Sequence, residues 1–226
     1  MKQSHPAKVF IIDDHPVLLA GLVALLEKPD DIEVCGTATS TESVPKVIKP
    51  PPDLFIVDIY LKTSDGFDLL KLLQQRFPQT PVMVFSMHDE VFYAERALHS
   101  GAKGYLMKSE SPTQILRAIR NMLSGELYIS ERLKSLLFSQ LDTTSPGQIT
   151  NPIKKLTNRE LQVIQLMGQG KNNREIAVIM NIRLKTVEAH RFRIKEKLNL
   201  RHSTELIQFA IHWVQREGVM QGSRFG

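Results

Sequence analysis

Four stretches of this chain carry residues that could do chemistry together: the pair Asp13-Asp14, then Asp58, Ser86 and Lys108. Each follows or ends a short apolar run: VFII before Asp13, LFIV before Asp58, VMVF before Ser86 and GYLM before Lys108. Three carboxylates gathered in one crevice repel one another and need a cation. Oxygen donors with no His or Cys among them suit Mg2+, which keeps several waters and takes few carboxylates. A carboxylate beside that ion is ionised and can attack phosphorus in line, forming an acyl phosphate. Lys108 would neutralise charge on the phosphoryl oxygens, and the Ser86 hydroxyl would donate a hydrogen bond to one of them. Taken singly, an Asp that ends a strand is more often a helix cap, Ser86 could cap the next helix, and a lone Lys is usually solvated. The constellation carries the argument.

The elements that must position these residues are legible as pattern. Candidate strands are Lys8–Ile12, Ile32–Gly36, Leu54–Asp58, Val82–Ser86 and Gly104–Met107, and candidate helices span 16–27, 41–48, 66–76, 90–100 and 112–124. Continuously apolar runs are expected where helices cover both faces of a strand. Alternating β and α segments therefore predict a doubly wound α/β domain, whose ligands bind beyond the carboxyl ends of the strands. Pro45 and then Pro50-Pro51-Pro52 confine the second helix to about two turns.

After residue 125 the strand signal ends. Glu131–Leu141 reads as a short amphipathic helix, and Asp142–Asn151 (DTTSPGQITN) has the composition of a flexible linker. Residues 156–215 show helical patterns alone. Charge follows the same division: residues 1–125 hold 13 Lys+Arg against 15 Asp+Glu, while residues 151–226 hold 14 against 6. The C-terminal part thus faces a polyanion, with nucleic acid the first candidate. The single Cys35 excludes an internal disulfide and a cysteine-based metal site. No apolar stretch approaches the roughly 20 residues of a membrane span, and no signal-peptide core follows MKQSHPAK. A cytoplasmic protein with no membrane partner is expected.

Within the basic part, Thr157 and Glu160 form a capping-box pattern, and Gly170 stops the helix they open. A short helix at Asn173–Met180, a turn at Asn181-Ile182-Arg183 and a longer helix from Leu184 to Asn199 make a helix-turn-helix. On the longer helix Val187, His190, Ile194 and Leu198 face the core. The opposite face carries Lys185, Glu188, Ala189, Phe192 and Arg193, with Lys195 and Lys197 on its flanks. That face suits a DNA major groove, cations for phosphates and a few side chains for base edges. A solvated charged helix would have the same periodicity.

Asp13-Asp14, Asp58, Ser86 and Lys108, with Gly66 eight residues after Asp58, resemble the receiver domain of two-component response regulators. The fragments FSMHDE (85–90) and GAKGYLMK (101–108) resemble its NarL/FixJ subfamily. The likeness covers 8 to 124. It implies a flavodoxin-like, five-stranded sheet of order 2-1-3-4-5 and phosphorylation of Asp58 by a sensor histidine kinase. It also implies Mg2+ held by Asp14, Asp58 and the Tyr60 backbone carbonyl, with Asp13 acting through water. Ser86 and Tyr105 would be the switch pair, and Tyr60 and His88 would influence how long the phosphoryl group lasts. The family often has Pro where this chain has Lys62, so the loop Tyr60–Asp65 is expected to be more mobile.

LT.RE (156–160), NREIA (173–177), TVEAH (186–190) and KL (197–198) resemble the LuxR-type DNA-binding domain. The likeness implies that Lys185, Thr186, Glu188, Ala189, Phe192, Arg193, Lys195 and Lys197 meet DNA. It implies too that Thr204–Val214 is a fourth helix serving as a dimer surface, although its apolar face (Leu206, Ile207, Ala210, Ile211, Val214) could equally close the core. Many members have Lys where this chain has Glu188; that carboxylate could accept from cytosine or pair with Arg191.

The expected whole is a receiver (1–125), a linker helix and flexible linker (126–152) and a four-helix DNA-binding domain (153–226). It would be a phosphorylation-dependent transcription regulator that forms a homodimer when phosphorylated, and not an enzyme. A haloacid-dehalogenase-type phosphatase would need a second acid two residues after the nucleophile, where Tyr60 stands. A receiver that works without phosphate is at odds with the intact pocket residues.

Overall fold

Runs of four apolar residues with no polar interruption leave a strand no wet face, and that dictates where the first half of the chain goes. In the computed structural model, which describes residues 5–61, 66–88, 90–131, 133–135 and 152–222, five strands form one parallel sheet. They are β1 (Ala7–Ile12), β2 (Ile32–Ala38), β3 (Leu54–Val57), β4 (Val82–Ser86) and β5 (Gly104–Met107), in the order β2-β1-β3-β4-β5. Every residue of β3, β4 and β5 is buried, whereas the edge strand β2 buries only its end residues, Ile32 and Ala38. Helices α1 (Pro16–Leu26), α2 (Gly66–Arg76), α3 (Glu90–His99) and α4 (Pro112–Leu123) provide the crossovers. Val9, Ile11, Ile56, Met83 and Phe85 from the sheet pack with Leu22, Leu26, Ile115, Ile119 and Met122 from α1 and α4.

The register aligns the carboxyl ends of the strands. Ile12 lies opposite Val57, and Ser86 opposite Met107. The ladder runs one residue further: the Asp58 N–H donates to Ile12 O at 2.8 Å, and the Lys108 N–H to Ser86 O at 2.8 Å. Asp13, Asp58, Ser86 and Lys108 are thereby brought to one end of the sheet. Gly66 begins α2 where a Cβ would stand 2.3 Å from the Ile59 Cα, so no other residue fits there against that backbone. Residues 62–65 of that loop, with Lys62, lie outside the described residues.

The helix expected at 41–48 does not form. Residues 39–44 are turns, in which Ser43 Oγ accepts from the Thr39 and Ser40 N–H groups at 3.2 and 3.0 Å. Pro45 lacks an N–H and Pro50-Pro51-Pro52 bar the residues before them from the helical region, so too few turns remain to offset helix nucleation. Ser and Thr side chains take over the backbone bonds instead. The other four helices begin where expected and end within a residue or so of it.

The chain divides into two compact units, Met1–Thr144 and Ser145–Gly226. After α4 the chain keeps to the first unit through Leu133, which is buried. Of the helix expected at 131–141, residues 131 and 133–135 are helical, and 136–141 lie outside the described residues, as does the linker 142–151.

The second unit holds a short 3-10 turn (Pro152–Lys155), α5 (Asn158–Gly168), α6 (Asn173–Ile179), α7 (Leu184–Leu198) and α8 (Ser203–Gly222). Thr157 and Glu160 make both bonds of a capping box, as their spacing predicts. Asn172 and Glu175 make a second, which opens α6. Asn181 and Asn199 take positive φ, of 51° and 58°, at the turn between α6 and α7 and at the end of α7; Asn tolerates this region better than most residues. Among the described residues no helix is long and apolar enough to cross a membrane.

Candidate functional site

Beyond the ends of β1 and β3, three carboxylates crowd into a space that water barely reaches. Asp13 and Asp58 are 2% and 3% exposed. Lys108, from the end of β5, enters with a fully buried side chain; its Nζ lies 2.6 Å from Asp13 Oδ2 and 2.7 Å from Asp58 Oδ2. The other Asp58 oxygen, Oδ1, accepts the Tyr60 N–H at 2.9 Å. Burial pushes the Asp58 carboxyl above its ordinary pKa, and Lys108 and the Tyr60 N–H pull against it without prevailing.

His15, not among the expected site residues, lies beside the carboxylates. His15 Nδ1 lies 3.1 Å from Asp13 Oδ1, 3.0 Å from Asp14 Oδ1 and 3.5 Å from Asp58 Oδ2. The four residues offer donor atoms within 4.8 Å of one another. The signal was there: His15 precedes Pro16 at the start of α1, and its N–H also donates to Asp13 Oδ1 at 2.8 Å. The carboxylates are largely buried while His15 is exposed, and a set dominated by carboxylate oxygens fits a hard divalent cation.

Around the acids stands a second layer centred on His88. Its N–H donates to Ser86 Oγ at 3.3 Å, and its carbonyl accepts the Tyr105 hydroxyl at 2.9 Å. Its ring stacks on Tyr60 with centroids 3.6 Å apart, and Tyr93 from α3 meets both rings at 5.3 and 5.5 Å. Tyr105 is fully buried, so both its ring and its hydroxyl belong to the interior. Ser86 and Tyr105, the expected switch pair, are thus joined through one residue.

In the second unit α7 buries Val187 and Ile194 and half-buries His190 and Leu198, as the periodicity predicts. Lys185, Thr186, Glu188, Ala189, Phe192 and Arg193 are exposed, and Phe192 at 58% stands clear of the fold. Lys195 is half-buried. Lys197 is engaged inside the unit: its Nζ lies 2.7 Å from Glu160 Oε2, and the Glu160 side chain is 2% exposed. Arg191 does not stand ready for Glu188 alone, because its guanidinium donates to Asn173 Oδ1 on α6. The apolar face of α8 divides. Leu206 and Ala210 are wholly buried and close the core, whereas Ile207 and Ile211 are 40% and 36% exposed. Gly168 admits this packing, since a Cβ there would meet Ala210 O at 2.3 Å.

Residues 9–120 match the family described as response regulator receiver domain, and residues 154–210 match bacterial regulatory proteins of the luxR family. The oxygen regulatory protein NreC of Staphylococcus epidermidis is 33% identical over 210 residues, covering 90% of this chain and 96% of that protein. NreC of Staphylococcus carnosus is 34% identical over 209 residues, with the same coverage. Among solved structures, the response regulator ChrA of a heme-sensing two-component system is similar at 27% identity and TM-score 0.51, over 93% of this chain and 98% of that one. RcsB of Salmonella enterica serovar Typhimurium, bound to promoter rprA with the phosphomimetic BeF3-, shares the fold at 23% identity and TM-score 0.60, over 91% of this chain and 98% of that one. The chain belongs to the two-component response regulators that join a receiver domain to a luxR-type helix-turn-helix domain. It is a transcription regulator of the phosphorylatable, DNA-binding class, and not an enzyme.

Proposed function

We propose that Asp58 accepts a phosphoryl group from a sensor histidine kinase and that α7 then reads duplex DNA as part of a homodimer. The single observation behind this is the placement of the Asp58 carboxylate between the Lys108 ammonium and the Tyr60 N–H, within a nest of acids. One carboxylate oxygen attacks phosphorus, the P–N bond to the kinase imidazole breaks, and that imidazole takes up a proton. Lys108 moves from balancing two carboxylates to balancing the phosphoryl oxygens, and the Ser86 hydroxyl donates to one of them. Asp13, Asp14, Asp58 and the Tyr60 backbone carbonyl would hold Mg2+, which supplies charge neutralisation for the transfer. The transferred dianion offers Ser86 a charge-assisted bond of about 2 kcal/mol, enough to shift a two-state equilibrium by more than tenfold.

On α7, Lys185, Arg193 and Lys195 supply affinity through phosphates, while Thr186, Glu188, Ala189 and Phe192 approach base edges. Lys197 supports the helix through Glu160 and touches DNA only in passing. Ile207 and Ile211 form the dimer contact. A DNA partner places this work in the cytoplasm, with no membrane involved. The deciding experiment incubates the protein with a small-molecule phosphodonor, with and without magnesium, and maps genomic sites occupied by wild type and Asp58→Ala. Incorporation that needs both Asp58 and magnesium, with occupancy lost in the variant, is the expected result. Label that survives in Asp58→Ala would overturn it.

A further inference from the structure

The chain does not leave the sheet when α4 ends. Tyr128 forms a parallel bridge with Gly104; its N–H donates to Lys103 O at 3.1 Å, and its carbonyl accepts the Tyr105 N–H at 3.0 Å. Two residues on, the Ser130 hydroxyl donates to Glu90 Oε1 at 2.5 Å. The same hydroxyl oxygen accepts the Leu133 N–H at 3.1 Å and so caps the helical turn that starts at Glu131. Glu90 is the first residue of α3 and is 3% exposed.

We propose that the β5 edge and Glu90 form a seat for the start of the linker, residues 126–131, and that phosphorylation acts on the rest of the chain by altering this seat. The inference rests on the reading of Asp58 given above. The contacts run without a gap from one to the other. Ser86 Oγ holds the His88 N–H, the His88 carbonyl holds the Tyr105 hydroxyl, and the Tyr105 N–H holds Tyr128. Glu90 lies two residues beyond His88 and holds Ser130. A Ser86 displaced toward a phosphoryl oxygen therefore disturbs both residues that grip the linker. The grip adds these polar bonds to the packing of Tyr128 against the core. A buried carboxylate with a hydroxyl partner makes a strong bond at one geometry and a poor one when α3 shifts, which suits a switched contact. The DNA-binding unit is tethered through this segment.

The test is hydrogen–deuterium exchange on the full-length protein, free and loaded with magnesium and beryllofluoride, for wild type, Ser130→Ala, Ser130→Thr and Glu90→Gln. Loading should raise exchange at residues 126–131 of wild type by about tenfold, the size of shift a Ser86 bond can drive. Ser130→Ala should show that rise before loading and little further change after it. Ser130→Thr should behave as wild type, and the phosphoryl half-life of Ser130→Ala should be unaltered. Glu90→Gln, whose amide oxygen still accepts from Ser130 but without the carboxylate charge, should show part of that rise before loading, so the outcome stands even if one variant folds poorly. Exchange that changes around Asp58 and Tyr60 but not at 126–131 would overturn the seat and leave the phosphorylation reading intact. Loading that changes no amide of the receiver would remove both.

Discussion

At Asp58, effects of opposite sign meet within a few ångströms: desolvation raises the carboxyl pKa, and the Lys108 ammonium lowers it. Burial prevails, which is the physical reason that a nucleophile at this position needs further positive charge. Tyr60 flanks the same carboxyl, with its ring held against His88. Truncation in Tyr60→Ala opens that side to water, and the phosphoryl half-life should shorten by about threefold to tenfold, a barrier change near 1 kcal/mol. An unchanged decay of radiolabel would show that the ring does not shield the acyl phosphate. His190 gives a second residue-scale prediction. Burial lowers its pKa, and among the described residues its Nδ1 has no hydrogen-bond partner. A histidine with a folded pKa below the unfolded value binds its proton mainly on unfolding, so stability is full above about pH 6.5 and falls as pH drops toward the folded value. Trp213 is the one tryptophan of the chain and is buried on α8, so its fluorescence reports this unit alone. Thermal melts read at Trp213 should lose a few degrees between pH 7 and pH 5, and His190→Leu should remove that loss.

In the second unit α5 and α6 open with capping boxes, whereas α7 has no side-chain bond at its N-cap. Asn172 accepts from the Arg174 and Glu175 N–H groups at 2.9 and 3.0 Å, and Glu175 returns a bond to the Asn172 N–H at 2.8 Å. A seven-residue helix without such a cap is marginal. Asn172→Ala should therefore destabilise the unit by about 1 kcal/mol, measurable by urea melts at Trp213. Glu160→Ala should do more, about 2 kcal/mol, because it removes a cap bond and the Lys197 ion pair, although Lys197 itself reaches water. On α7 the division of labour is testable by salt. Lys195→Ala should weaken all DNA sequences alike and reduce the slope of log affinity against log salt by about 1. Phe192→Ala should leave the slope alone and change which bases are preferred. A base preference altered by Lys195→Ala would reverse these roles.

For the molecule as a whole, the charge asymmetry and the two separate cores assign different tasks to the two halves. Salt dependence belongs to the basic unit, and control belongs to the acidic pocket. Linking two reading heads converts the second binding event into an intramolecular one, so a modest bias toward dimer becomes a large change in occupancy. Sedimentation of the protein loaded with beryllofluoride should show a dimer, with DNA affinity higher by about tenfold or more. Asp58→Ala should stay monomeric under the same conditions. Ile207→Asp together with Ile211→Asp should abolish the dimer and that gain while leaving the folded unit intact, because both side chains are exposed. A dimer that persists in the double variant would place the contact elsewhere.

The strands and four of the five expected helices around them were legible in the sequence, because apolar runs bounded by polar residues mark buried strands, while the order of the strands followed from the family resemblance. The capping box at Thr157 and the inward face of α7 were legible too, since both are local in spacing. The helix expected at 41–48 does not form, because between Pro45 and Pro50 turn chemistry wins over helix nucleation. What remained hidden depends on chain segments far apart in number. The bond of Lys197 to Glu160, the passage of Ser86 and Tyr105 through His88, the docking of Tyr128 on β5 and the split face of α8 are of this kind. Periodicity says which side of a helix is apolar; only packing says how much of that side the core has room to cover.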